Sequence, residues 1–355
     1  MKINVAVVSA GGAGRAHVSR FNKNPKSCVK AIFDIKKENL NSFSRIKKNG
    51  GYLTTDFDKI ITDDSIDLIS ICSPDYSHFD YALAAIKAGK HVLVEKPMVT
   101  SIEQCQELSH AISNYDSIFA VHHQMRYVPC FLSAKTSVIR GDIGTPILLE
   151  ADYVHDMRER ARLFDDWRLD PKNFQKVVLG MSCHTIDLAR WILNDEVIQV
   201  FSYANHIGWT EYPDVDTVIT LLKFKQGTIC KIMSTLACQR PQLDPLVIYG
   251  NEGNIINNLV INKKGPNKLI YNPQNIWKNI LGRLCFLSKL TQNVPFSMYE
   301  HEIACRSLID DLLNHILEGT DFPVNFSEGA YTTQICLAGI ESYEKGIPIV
   351  VKRMF

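Results

Sequence analysis

Residues 3–10, 29–34, 67–73, 92–94 and 118–123 are apolar runs without period-two alternation. Such runs predict strands covered on both faces, the habit of a parallel sheet. Between them, residues 15–20, 36–47 and 81–86 carry helical patterning, and Gly89 closes the last of these. Ser101-Ile102-Glu103-Gln104 is a capping box that opens a further helix. This β–α alternation predicts a doubly wound parallel sheet of about six strands. The pattern changes after Gln124-Met125-Arg126-Tyr127. A helix is expected over 129–140. Longer strands follow at 146–155, 197–205, 216–224, 228–236 and 246–250, with hairpin signals at Lys225-Gln226-Gly227 and Asn251-Glu252-Gly253. A helix over 184–191 interrupts them. Helices at 299–318 and 328–344 and a strand at 347–351 close the chain. The expected architecture is α/β, with a doubly wound first domain over 1–123 and a mainly antiparallel second domain over 124–355. Residues 262–298, with Trp277 and Arg283, have little periodicity and suit a loop folded over a site.

Composition narrows the class. The 355 residues are enough for two domains, and 46% hydrophobic with 22% charged residues is an ordinary globular balance. The net charge is +1 and no basic block stands out, so neither nucleic acid nor an anionic membrane is an expected partner. Charges break the apolar runs well short of a membrane span. Met1-Lys2-Ile3-Asn4 leads straight into a strand pattern with no secretory signal. The ten cysteines are scattered without a C-x-x-C pair, which suits reduced thiols in a cytoplasmic protein better than disulfides or zinc. No metal is expected.

Chemistry-bearing residues cluster at strand ends. Gly11-Gly12-Ala13-Gly14 follows the first strand and opens a helix. That context lets backbone N–H groups approach a pyrophosphate. Against the pattern G-x-G-x-x-G, Ser9 replaces the first glycine. Asp34 ends the second strand twenty residues past Gly14. A carboxylate there serves both ribose hydroxyls and repels a 2′-phosphate, favouring NAD, while the neighbouring Lys36 and Lys37 keep NADP open. Taken alone, Asp34 is equally a strand-end turn residue. The strand 92–94 ends in Glu95-Lys96-Pro97, where Pro97 stops the ladder. Taken alone, Lys96 reads as a solvated lysine at a strand exit. Arg158, Arg160, Arg162 and Arg168 crowd one loop with Glu159, Asp165 and Asp166. This cluster suits either an anionic substrate group or a salt-bridged surface.

Together these segments resemble the Gfo/Idh/MocA family of oxidoreductases over nearly the full length. The resemblance rests on Gly11-Gly12-Ala13-Gly14-Arg15-Ala16-His17, Ser73-Pro74-Asp75-Tyr76-Ser77-His78, Ala88 through Pro97, Arg126-Tyr127-Val128-Pro129, His184-Thr185-Ile186-Asp187 and Glu341-Ser342-Tyr343. It implies a Rossmann domain for NAD(P) and a C-terminal α/β domain with a large open sheet that joins subunits in a homodimer or homotetramer. It places Ser9, Gly11, Gly12, Ala13, Gly14, Asp34, Ser73, Pro74, His78, Glu95, Lys96, Gln124, Trp167 and Arg168 at the cofactor. It implies that Lys96 and His184 are catalytic, that Arg126 and Asp187 join them at the substrate, and that the Lys96–Pro97 bond is cis. Many sugar-oxidising relatives carry an aspartate four residues before the histidine; this chain has Gly180. The implied reaction is hydride transfer between the nicotinamide and a secondary alcohol or ketone of a sugar, polyol or sugar nucleotide. Two alternatives accompany it: a glycoside hydrolase that uses bound NAD transiently, and a non-catalytic NAD-binding sensor.

Overall fold

The computed structural model describes residues 2–48, 50–114, 116–159, 161, 167–238, 244–262, 267–269 and 298–355. Arg160, Arg162, Asp165, Asp166, Trp277 and Arg283 lie outside them, as does almost all of the 262–298 segment. By contacts the chain forms two compact units. One comprises Met1–His123, Cys305–Thr333 and Phe355; the other comprises Gln124–Ala304 and Gln334–Met354. One junction falls after His123, and segment 305–333 groups with the N-terminal residues. Its attachment is concrete: Val121 N–H donates to Val324 O at 2.9 Å, and Ala120 bridges Asn325.

The first unit holds a six-stranded parallel sheet: β1 (Ile3–Val8), β2 (Ser27–Phe33), β3 (Tyr52–Thr54), β4 (Leu68–Ile71), β5 (His91–Val94) and β6 (Phe119–Val121). Their order is β3-β2-β1-β4-β5-β6. Every residue of β4 and β6 is buried, as continuous apolar runs require. The order reverses between β1 and β4, and the carboxyl ends of those strands form the crevice where such sheets bind ligands. Helix α1 (Gly12–Lys23) follows β1, α2 (His78–Lys87) follows β4 and α3 (Ile102–Ile112) follows β5. The Ser101 side chain caps α3 by accepting from Gln104 N–H at 3.3 Å. Gln104 Oε1 reaches back to Thr100 N–H at 3.0 Å, one residue before the usual capping-box donor. The helix expected over 36–47 is broken into Lys37–Leu40, a 3₁₀ turn at Asn41–Phe43 and Ser44–Lys48. Only Leu40 and Ile46 bury apolar side chains there, too few anchors for one continuous face.

The second unit is built on a ten-stranded sheet, and most of its pairings are antiparallel. Its strands are β7 (Pro146–Ala151), β8 (Tyr153–Val154), β9 (Val197–Asn205), β10 (Thr217–Phe224), β11 (Ile229–Thr235), β12 (Leu246–Gly250), β13 (Gly253–Ile256), β14 (Leu259–Asn262), β15 (Lys268–Leu269) and β16 (Ile349–Val350). The order is β15-β14-β13-β12-β7-β11-β10-β9-β16, with β8 paired to β11. The strand expected over 146–155 is split at Asp152, whose carboxylate takes Met233 N–H at 2.9 Å in place of a ladder partner. Strand β10 alternates cleanly: Val218, Leu222 and Phe224 point inward, while Ile219 and Leu221 are exposed. Helices α4 (Pro129–Ile139) and α5 (Cys183–Leu193) pack together in this unit. Helices α6 (Met298–Glu318) and α7 (Phe326–Lys345) each begin in one unit and end in the other. No helix among the described residues is long and apolar enough to cross a membrane.

Candidate functional site

The glycine turn is shaped by close backbone packing. A β-carbon on Gly14 would lie 1.8 Å from Ser9 O and 3.6 Å from Val7 Cγ1. Helix α1 therefore sits on β1 at a distance only glycine allows. Ser9 itself has φ +80°, the left-handed conformation that a glycine would take without cost, and it accepts that conformation in the place of the first motif glycine. Helix α1 starts at Gly12 with Gly11 as its N-cap; no side chain caps it and no acid sits in its first turn. Its leading N–H groups suit an anionic pyrophosphate. Asp34 lies 4% exposed at the end of β2. Its Oδ2 accepts Ala10 N–H at 2.7 Å, and its Oδ1 accepts Lys36 N–H at 2.8 Å and Asn39 Nδ2 at 3.0 Å. The carboxylate thus ties the glycine turn to the strand edge, and its further lone pairs are of the kind a ribose diol needs. These features fit a dinucleotide.

Next along the edge, His78 is fully buried, and its Nδ1 and Nε2 contact Pro97 O and Ser73 O, each at 2.8 Å. It fastens the turn after β4 to the turn after β5. The Lys96–Pro97 bond is cis, as the resemblance implies. Lys96 is half-buried and directly follows Glu95.

Glu95 is the hub of a cluster that spacing along the chain could not reveal. Its Oε1 lies 3.1 Å from His17 Nε2 and 3.1 Å from His122 Nδ1. The His17 and His122 rings are 4.7 Å apart, and Ser70 Oγ is 2.8 Å from His17 Nδ1. Burial works against charge on Glu95, yet the two histidines hold its carboxyl well below the usual carboxylate range. Burial also works against charge on His17, but Cys72 and Glu95 raise its pKa to about 10. Burial lowers that of His122 despite Glu95, with the positive charges of His17 and Arg20 assisting. At neutral pH the cluster is a carboxylate, an imidazolium and a neutral imidazole. Three ligand-capable atoms within 4.8 Å of one another are also what a divalent ion needs. His17 Nε2 is hydrogen-bonded to the Glu95 carboxylate, whereas His122 Nδ1 meets it at ion-pair distance without hydrogen-bond geometry.

In the second unit, a π-helical turn at Val178–Ser182 runs into α5, and His184 occupies the first turn of α5. Such turns recur at functional sites because the extra residue re-aims the following side chains. His184 is 3% exposed and stacks on Tyr153, with ring centroids 5.4 Å apart and planes 9° from parallel. Arg126 and Asp187 come together in a buried bidentate pair: Nε–Oδ2 is 2.8 Å and Nη2–Oδ1 is 2.6 Å. Both were expected at the substrate; the structure gives each the other as a partner and leaves them 3% and 0% exposed. Gln124 donates from Nε2 to His301 Nε2 at 3.2 Å. Trp167 and Arg168 form a 3₁₀ turn with Leu169, and the Arg168 guanidinium lies over the Trp167 ring at 4.6 Å. Arg168 Nε also donates to Gln175 Oε1 at 3.0 Å. Tyr153, Gln175 and His122 were not anticipated as site residues, and His17 was noted only as part of a motif. A histidine three residues past the glycine turn was its one available signal.

Comparison with known proteins gives this geometry its context. Residues 3–123 match a family described as "Oxidoreductase family, NAD-binding Rossmann fold", and residues 131–256 match its C-terminal domain, "GFO/IDH/MocA C-terminal domain". An uncharacterized oxidoreductase, YrbE of Bacillus subtilis, is 28% identical over 262 residues, covering 71% of this chain and 72% of its own. Myo-inositol 2-dehydrogenase of Thermotoga maritima is 25% identical over 260 residues, covering 71% and 74%. Among solved structures, a levoglucosan dehydrogenase in complex with NADH superposes with a TM-score of 0.83 at 21% identity, covering 100% of both chains. The glycine turn, the parallel sheet order and both matched domains agree, and the chain belongs to the Gfo/Idh/MocA family of NAD-binding oxidoreductases.

Proposed function

We propose that the protein is an NAD-dependent dehydrogenase acting on a secondary alcohol, or the corresponding ketone, of a sugar, polyol or sugar nucleotide. The observation that carries this is the carboxyl edge of the parallel sheet, where the glycine turn, Asp34 and Lys96 all leave strand ends. NAD, when bound, accepts hydride in the oxidation and NADH donates it in the reverse. Gly11 to Gly14 and Asp34 hold the dinucleotide, and the Asp34 carboxylate selects against a 2′-phosphate. The Lys96 ammonium polarises the substrate oxygen, and His184 moves the hydroxyl proton as acid and base. Glu95 fixes the backbone from which Lys96 projects, accepting Lys96 N–H at 3.2 Å. Arg126 and Asp187 act as a clamp that holds α5, and with it His184, in place. A homodimer or homotetramer is part of the proposal; exposed Tyr203, Ile219 and Ile229 on the large sheet support it.

The test is a spectroscopic screen of NAD and NADP against inositols, sugars and nucleotide sugars. Net NADH formation with one of them is expected. Lys96→Ala and His184→Ala should each lower kcat/KM by roughly 10²–10⁴-fold with NAD affinity retained. Parental turnover in both variants sinks the assignment. Product without net NADH identifies the hydrolase instead, and NAD binding without turnover across the panel identifies the sensor.

A further inference from the structure

Position 180 has no side chain, and its space is filled from elsewhere in the fold. A β-carbon on Gly180 would lie 2.4 Å from both Cδ and Oε1 of Gln175, and 2.6 Å from its Cγ. The Gln175 carboxamide therefore rests directly against the Gly180 backbone. It is 3% exposed and anchored at two points. Oε1 accepts the Arg168 Nε–H at 3.0 Å, and the backbone carbonyl accepts the Tyr212 hydroxyl. A guanidinium has only donors, so the oxygen end of the amide is the end that faces Arg168. Gly180 lies in the π-helical turn, four residues before His184 and so one turn back toward the same side of the helix. The carboxamide is thus delivered, from the short loop before the turn, to the place a side chain at 180 would occupy.

We propose that Gln175 stands in for that missing side chain as a neutral substrate-positioning residue beside His184. The exchange changes the chemistry as well as the address. A carboxylate at this place accepts hydrogen bonds and carries charge, whereas the carboxamide both accepts and donates and carries none. Glycine at 180 and glutamine at 175 form a matched pair: any larger residue at 180 collides with Gln175, and a smaller one at 175 leaves a hole. Arg168 belongs to the same arrangement, since its bond to Oε1 fixes the amide in one orientation. The proposal rests on the dehydrogenase reading above, and its test separates the two.

Three variants carry the test, read by thermal melting and by steady-state kinetics with the substrate that the screen identifies. Gly180→Asp alone should lower Tm by several degrees and kcat/KM by about tenfold or more, because the new side chain strikes Gln175. Adding Gln175→Ala should restore Tm and recover most of the lost kcat/KM, since the aspartate then has the space. Gln175→Glu keeps the shape and strengthens the Arg168 bond, so Tm should hold or rise while kcat or KM moves by about tenfold. Gly180→Asp as stable as the parent would show that Gln175 does not fill the space. Gln175→Glu with parental kcat and KM would reduce the residue to filler. A parent inert toward the whole panel fails the dehydrogenase reading and removes the proposed role with it; the melting comparison would still report whether the two residues share one volume.

Discussion

At the scale of single residues, the pairing of Arg126 with Asp187 decides what each can do. Two short, parallel hydrogen bonds at 2.8 and 2.6 Å bind the carboxylate through both of its oxygens. The pair lies in a dry part of the structure, at 3% and 0% exposure. Removing one partner strands a buried charge, and the cost is about 3–5 kcal/mol. Asp187→Asn and Arg126→Met should each lower the urea midpoint accordingly. The double replacement Arg126→Met with Asp187→Leu should recover much of that loss, because no orphaned charge remains. If Asp187 served chiefly to orient His184, Asp187→Asn would cut kcat and leave the urea midpoint in place.

At the scale of elements, Gly14 and Gly11 of the glycine turn have separable roles. A β-carbon on Gly14 meets the Ser9 backbone oxygen at 1.8 Å, a contact that cannot yield without moving α1 off β1. Gly14→Ala should therefore lower both Tm and NAD affinity. A β-carbon on Gly11 meets only Ser9 Oγ, at 3.6 Å, an ordinary contact, and its φ of −71° suits any residue. Gly11→Ala should leave Tm unchanged and weaken NAD binding by about tenfold, because the added methyl stands where the pyrophosphate approaches. Melting curves and NAD titrations of the two variants distinguish these outcomes. The same elements show what the sequence makes legible. Buried strands such as β4 and β5 announce themselves as unbroken apolar runs, and Gly89 and Ser101 mark helix ends by local chemistry. Strands β3, β13 and β14 have only three or four residues, too few for any periodicity to register. The helix expected over 36–47 failed because helical spacing of charges does not supply a buried face. Of the residues proposed for the site, Lys96 and His184 are readable through motifs; the packing of Gln175 and the place of His122 beside Glu95 are not, because their partners lie in other segments and only folding brings them together.

At the scale of the whole molecule, the Glu95 cluster links folding stability to pH. It joins α1, β5 and the end of β6 through His17, Glu95 and His122, with Cys72 and Arg20 as the neighbouring groups that bias it. The folded-state pKa of Glu95 is depressed, so its contribution is present above the ordinary value of 4.5 and is lost as pH falls. His122 is depressed too and acts in the same direction from its ordinary value of 6.5. His17 is raised to about 10, so its contribution is complete below 6.5 and is lost as pH rises through about 10. Stability should therefore decline on both sides of neutrality, and the alkaline side belongs to His17. Replacing it by glutamine keeps a donor toward Glu95 but removes the titrating charge. Parent and His17→Gln melting temperatures should differ most near pH 6.5 and converge by several degrees as pH approaches 10, at about 2–4 °C per kcal/mol for units of this size. A difference that stays constant across that range would mean that His17 carries no charge in the folded protein and that the cluster is held by neutral hydrogen bonds alone.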